Sequence, residues 1–235
     1  MKRKPSLPEK KPQIRTHTAS VRRQAKADAA RAHLQTRDAV TGKSRRENLR
    51  EQKQRFLIVC EGERTEPLYF QGFRVSDQPL GLGLCTVSLV REAIRLRDLK
   101  DAGYYDQCWV VFDKDEFPDA DFHEAIALAE YNGFSVAYTN QAFELWYLLH
   151  FDYHETAYDR SQYAAMLIER LGRTYQKNDP KMYRTLMSKQ EMACKNAERL
   201  IETYVAHNPA ADNPSTTVHL LVQELRKNSG WRKAL

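Results

Sequence analysis

Residues 55–60 read RFLIVC and stop on Glu61-Gly62. A β-branched apolar run with no polar alternation fits a strand covered on both faces, as in the middle of a parallel sheet. Thr65 offers a capping hydroxyl and Glu66-Pro67 suit a first helical turn, so Glu61 and Gly62 are expected in a strand-to-helix turn. Further strands are expected at Leu84–Leu89, Cys108–Asp113 and Phe134–Tyr138. Helices are expected over Val90–Ala102 and from Asp119 or Asp121 to Asn132, where Gly133 supplies a stop. This alternation implies an α/β fold, a parallel sheet flanked by helices and joined by right-handed crossovers.

From Ala142 onward the pattern is helical: AFELWYLLHF, then SQYAAMLIERLG, then a long run from Pro180 to His207, then a helix from Ser215 to Lys227. The expected organisation is a basic arm over 1–53, an α/β core over 54–151 and a helical extension over 152–235 packed on that core. The arm is set apart by charge. Residues 1–50 hold 15 Lys/Arg against 4 Asp/Glu, a balance of +11, whereas the remainder carries 22 against 27, a balance of −5. With Pro5, Pro8 and Pro12 and few apolar residues, its first part is expected to be disordered; residues 20–54 permit a helix that would need a partner. Contact with nucleic-acid phosphates and docking to an acidic protein are both open readings of such an arm.

Several classes are set aside at this point. No window approaches the run of about 18 apolar residues that a membrane helix needs, and the N-terminal residues lack the apolar stretch of a secretory signal, so a soluble cytoplasmic protein is expected. Cys60, Cys85, Cys108 and Cys194 show no C-x-x-C spacing and read as buried free thiols. Nothing reads G-x-x-x-x-G-K-[ST], so nucleotide hydrolysis through a P-loop is not expected.

Glu61 and the pair Asp113/Asp115 carry the chemistry. In an open α/β sheet, ligands bind at the carboxyl ends of strands, where all three fall. Side chains at i and i+2 leave a strand on one side, so Asp113 and Asp115 point together while Glu116 faces solvent. Three carboxylates at one rim form a hard, oxygen-rich site that suits Mg²⁺, or Mn²⁺, together with water and substrate phosphate. Asp113 and Asp115 are expected as metal ligands, and Glu61 as a further ligand or as the general acid/base.

The segments FLIVCEGERTEPLYFQGF, CWVVFDKDEF, TNQAFELWYLLHF and NPSTTVHLLVQEL, in this order over residues 54–228, resemble the RloB-like family, which includes abortive-infection proteins of the AbiLii type. The resemblance implies a Toprim-like core, a place in bacterial anti-phage or restriction-associated defence, and an ATPase partner encoded nearby. Toprim domains also occur in topoisomerases, primases and overcoming-lysogenisation-defect nucleases. There a glutamate after the first strand and a later D-x-D pair manage metal-dependent phosphodiester chemistry, positions that Glu61, Asp113 and Asp115 match. The activity implied is a metal-dependent nuclease acting on DNA or RNA. The alternatives are a non-catalytic adaptor that binds metal or nucleic acid and signals to the ATPase, and a nucleotidyltransferase of the primase type.

Secondary candidates surround this triad. Glu144 follows the last expected strand, where it either reaches the same rim or caps the next helix, as Asn140 also can. Arg64 and Thr65 can present a guanidinium and backbone N–H groups to phosphate. Lys177, in a family-like Y-x-K, either neutralises a transition-state phosphate or is a surface lysine. His150 reads as a satisfied buried histidine.

Overall fold

The computed structural model describes residues 53–75 and 77–228, so almost all of the expected basic arm lies outside the described residues. The first strand, β1 (Phe56–Cys60), is buried along its whole length. Its side chains alternate between two cores: Phe56, Ile58 and Cys60 enter one, Leu57 and Val59 the other. The same split recurs in β3 (Gln107–Asp113), where Trp109 and Val111 face the first core and Val110 and Phe112 the second. Two covered faces explain why neither strand alternates polar with apolar.

Among the described residues the sheet runs β2-β1-β3-β4-β5, with β2 at Leu80–Gly81, β4 at Ser135–Asn140 and β5 at Ser215–Thr216. β2, β1, β3 and β4 are parallel, and β5 joins antiparallel to β4. Register pairs Cys60 with Val111 and Asp113 with Thr139, which brings the ends of β1, β3 and β4 level.

One face of the sheet is covered by α2 (Thr86–Asp98) and α3 (Asp119–Tyr131) through Leu89, Val90, Ala93, Phe122, Ala125 and Ala129. The other face carries α1 (Thr65–Gln71), α4 (Glu144–Leu148), α5 (Arg160–Leu171), α6 (Met182–Leu186), α7 (Gln190–Glu202) and α8 (Val218–Asn228). Residues 142–150 are all buried, which accounts for the absence of a helical polar face there.

Three expectations are corrected. Leu84–Leu89 is no strand: Thr86, Leu89, Val90 and Ala93 are the buried stripe of α2, at helical spacing. The strand is Leu80–Gly81 instead, and Gly81 is required because a Cβ there would meet the carbonyls of Gly62 and Glu63. Ser215 and Thr216 do not open the last helix. They form β5, with the Thr216 and Thr139 hydroxyls 3.1 Å apart across the sheet. The long run from Pro180 is broken into α6, a 3₁₀ turn at Met187–Lys189 and α7.

Cys60 and Cys194 are buried free thiols, but Cys85 is exposed at the start of α2. No helix among the described residues is long and apolar enough to cross a membrane.

Candidate functional site

The strand ends open into a cavity of about 490 Å³. Its lining includes Glu61, Arg64, Thr65, Asp113, Asp115, Glu144 and Lys177, so every residue singled out from the sequence as a site candidate faces one space. The local causes are visible. Glu61 continues β1, its N–H donating to the Val111 carbonyl at 2.8 Å. Asp113 ends β3, its N–H donates to Glu61 Oε2 at 3.2 Å, and its Oδ2 accepts from the Phe143 N–H at 3.1 Å. Strand parity turns Lys114 away from the cavity: it is buried, donates to the Phe117 carbonyl at 2.7 Å and pairs with Asp119 at 3.1 Å. Asp115 lines the cavity and Glu116 is exposed.

Glu144 is buried at the start of α4, where its side chain does not cap the helix; its Oε1 accepts from the Tyr175 hydroxyl at 3.0 Å. Asn140 caps nothing either, since its amide donates to the Pro209 and Ala210 carbonyls. Thr65 is the first residue of α1 rather than its cap, and its hydroxyl donates to Asn178 Oδ1 at 2.9 Å. That bond ties the Glu61 loop to the Lys177 loop. His150 is buried, with Nδ1 2.9 Å from the Trp146 carbonyl and Nε2 3.3 Å from the Tyr69 hydroxyl, a satisfied core histidine.

Two lining residues escape a reading of the sequence. Glu66 sits in the first turn of α1, where an acid is ordinary, yet it is only 7 % exposed and its Oε2 has no hydrogen-bond partner. Gly62 makes room for it, because a Cβ there would run into the Glu66 carboxylate. Arg160, the first residue of α5, places Nη2 2.5 Å from Asp115 Oδ1 and 3.7 Å from Asp113 Oδ2. No sequence signal joins it to Asp115, 45 positions away.

The electrostatics follow from crowding acids in a half-closed space. Burial, and then the neighbouring Glu66 and Glu144, hold the Asp113 carboxyl well above its ordinary range. Burial pushes Glu61 up to about 7 against the pull of the Asp113 N–H, and raises Glu66 as well. Tyr175 is raised by burial and by the Glu144 charge.

Among the described residues no three His, Cys, Asp or Glu side chains are arranged to hold a metal ion, and the Arg160 guanidinium is drawn to Asp113 and Asp115. The donor set nevertheless fits a hard divalent cation. It is all oxygen, burial and then the neighbouring acids raise three of its carboxyls, and the buried Glu66 oxygen lacks a partner.

No curated protein and no solved structure matches the chain. Residues 56–225 match the family model described as RloB-like protein, a span that contains all five strands and the whole of the cavity lining, and the chain belongs to the RloB-like family.

Proposed function

We propose that the chain is a divalent-metal-dependent nuclease of bacterial anti-phage or restriction-associated defence, with a Toprim-like core, hydrolysing phosphodiesters of DNA or RNA. The observation that carries this reading is the convergence of Glu61, Asp113, Asp115, Glu66 and Glu144 on one cavity that also holds the cations Arg64, Arg160 and Lys177. Carboxylates to hold Mg²⁺ or Mn²⁺ beside cations to hold phosphate are what phosphodiester hydrolysis requires. Asp113 and Asp115 would hold the ion, with Glu61 or Glu66 completing the set. When bound, such an ion offsets phosphoryl charge and makes water more acidic.

The chain's own groups do the rest. Glu61, whose carboxyl titrates near neutrality, can take a proton from water and return one to the leaving oxygen. Arg64 and Lys177 face the cavity from two loops that Thr65 and Asn178 join, so both can grip one phosphate. The seven residues of α1 make a short helix, which leaves the Arg64 guanidinium as the stronger contact. Tyr175 fixes the Glu144 carboxylate in place. The basic N-terminal segment would add sequence-independent affinity for nucleic acid. An ATPase partner in the cytoplasm would license cutting.

A second reading, a non-catalytic adaptor signalling to that ATPase, draws on the Asp115–Arg160 pair, which satisfies one acid internally. The deciding experiment incubates the purified full-length chain with DNA and RNA in Mg²⁺ or Mn²⁺, with and without the neighbouring ATPase. Cleavage that Asp113→Ala abolishes supports the nuclease. Equal cleavage by Asp113→Ala sinks this site, and no cleavage under any condition favours the adaptor.

A further inference from the structure

Arg160 and Asp115 line two cavities at once: the acidic one already described, and a neighbour of about 570 Å³ bounded by Glu116, Phe117, Gln141, Asp159 and Ser161. Their ion pair stands between the two spaces. The backbone of Arg160 is pinned by a capping box. Asp159 accepts from the Gln162 N–H at 2.9 Å, and the Gln162 side chain accepts from the Asp159 N–H at 2.9 Å. The Arg160 side chain, by contrast, remains 42 % exposed. A fixed Cα bearing a long, solvent-reaching side chain can change partners without moving the helix.

Of the three cations that line the acidic cavity, Arg160 alone pairs with a carboxylate among the described residues; Arg64 and Lys177 make no ion pair there. A guanidinium 2.5 Å from Asp115 and 3.7 Å from Asp113 occupies the space between the two acids best placed to hold a cation. The two claims on Asp115 compete, because a divalent ion and a guanidinium on one carboxylate repel each other across a few ångströms. Once displaced, the guanidinium lies in a cleft without its counter-ion. A phosphodiester, with two oxygens that match the arginine fork, is the anion it fits.

We propose that Arg160 exchanges anions: it holds Asp115 while the cleft carries no divalent cation, and takes the nucleic-acid phosphate when a cation claims Asp115. The identity of that phosphate rests on the nuclease reading above; the exchange at Asp115 does not. Linkage then makes the coupling reciprocal, so that cation and nucleic acid each tighten the binding of the other through one side chain.

The first test is a calorimetric titration of the full-length chain with Mn²⁺ alone, comparing wild type with Arg160→Gln, Arg64→Gln and Lys177→Gln. Each variant removes one positive charge, but only the first removes a competitor for Asp115. Arg160→Gln should bind Mn²⁺ roughly three- to fivefold more tightly, the strength of a partly exposed ion pair, with under about twofold for the other two. Equal tightening in all three, or none in Arg160→Gln, overturns the exchange. Absence of Mn²⁺ binding in every protein overturns it together with the metal-dependent reading.

The second test measures affinity for a labelled single-stranded oligonucleotide at constant ionic strength, with and without Ca²⁺. Ca²⁺ should strengthen binding by wild type, weakly by Arg160→Lys and not by Arg160→Gln. An equal gain in Arg160→Gln overturns the transfer to phosphate. If wild type binds Mn²⁺ but no oligonucleotide, the nuclease reading fails, and with it the transfer, while the titration still decides the exchange at Asp115. A cooperative melting transition in Arg160→Gln, Arg160→Lys, Arg64→Gln and Lys177→Gln verifies that all of these proteins are folded.

Discussion

The backbone N–H of Asp113 donates to Glu61 Oε2 at 3.2 Å, joining the last residue of β3 to the first residue beyond β1. Register brings the two residues within reach, since Cys60 lies opposite Val111. The bond favours the ionised form of Glu61, yet burial outweighs it and leaves the carboxyl near neutrality. Asp113, also held well above its ordinary range by burial, has acids on several sides and a single backbone N–H from Phe143.

Asp113→Asn keeps an oxygen for the Phe143 N–H and removes the charge. The proposed nuclease activity should fall by roughly 10²–10⁴-fold, as when a group central to proton transfer or charge stabilisation is lost. Stability should move the other way. A carboxyl whose folded pKa lies above its unfolded value contributes stability that is full below the unfolded pKa and lost as pH rises through the folded one. Without metal, the variant should therefore melt above wild type at alkaline pH, by roughly 2–4 °C per kcal/mol relieved in a chain of this size. The gap should shrink as pH falls and wild type takes up the proton. A gap that does not change with pH would show that Asp113 carries no strain of this kind.

Metal binding should itself depend on pH. Glu61 titrates at about 7 from burial, so at about pH 6 a cation must displace a proton that is mostly absent at about pH 8. Mn²⁺ affinity should rise across this interval, and proton release, read from calorimetry in buffers of different ionisation heat, should fall. In Glu61→Gln the Glu61 part of both trends should vanish. An identical pH profile in that variant would remove Glu61 from the binding site.

Gly62→Ala tests the seat of Glu66. The added Cβ would run into the Glu66 carboxylate, whose buried Oε2 already lacks a partner. Overpacking of this kind should destabilise by roughly 1–3 kcal/mol. Gly62→Ala combined with Glu66→Ala should recover most of that loss, because the collision is gone, whereas strictly additive melting shifts would show that the two residues do not meet.

The parts of the fold that could be read in advance are those where composition and periodicity agree. FLIVC fits a strand covered on both faces, as observed, and the parity of Asp113 and Asp115 follows from the pleat, with Lys114 turned to Asp119 as the counter-example on the opposite side. Short edge elements left no such trace. Leu80–Gly81 is too brief to carry a period, and its glycine answers to the main chain of Gly62 and Glu63, a contact between separate segments. Ser215 and Thr216 look helical because the stripe beginning at Val218 follows at once, whereas pairing with β4 across 77 positions decides their conformation. Arg160 is invisible for the same reason: the pair with Asp115 exists only once α5 has packed on the sheet.

His150 provides a test of the core itself. Its Nδ1 lies 2.9 Å from the Trp146 carbonyl, which requires that nitrogen to donate, so Nε2 accepts from the Tyr69 hydroxyl. Burial lowers its pKa to about 4, because a charged imidazole would have to share the aromatic core around Tyr69 and Trp146. A depressed folded pKa gives stability that is present above the unfolded value of 6.5 and lost as pH falls through about 4. His150→Gln leaves at least one of these two buried groups poorly paired and should cost about 1–3 kcal/mol near neutral pH. Glutamine does not titrate, so the difference from wild type should narrow as pH falls from about 6.5 toward 4, opposite in sense to the relief at Asp113. Urea unfolding of both proteins across that interval measures it, and a difference that stays constant down to about pH 4 would place His150 in contact with solvent.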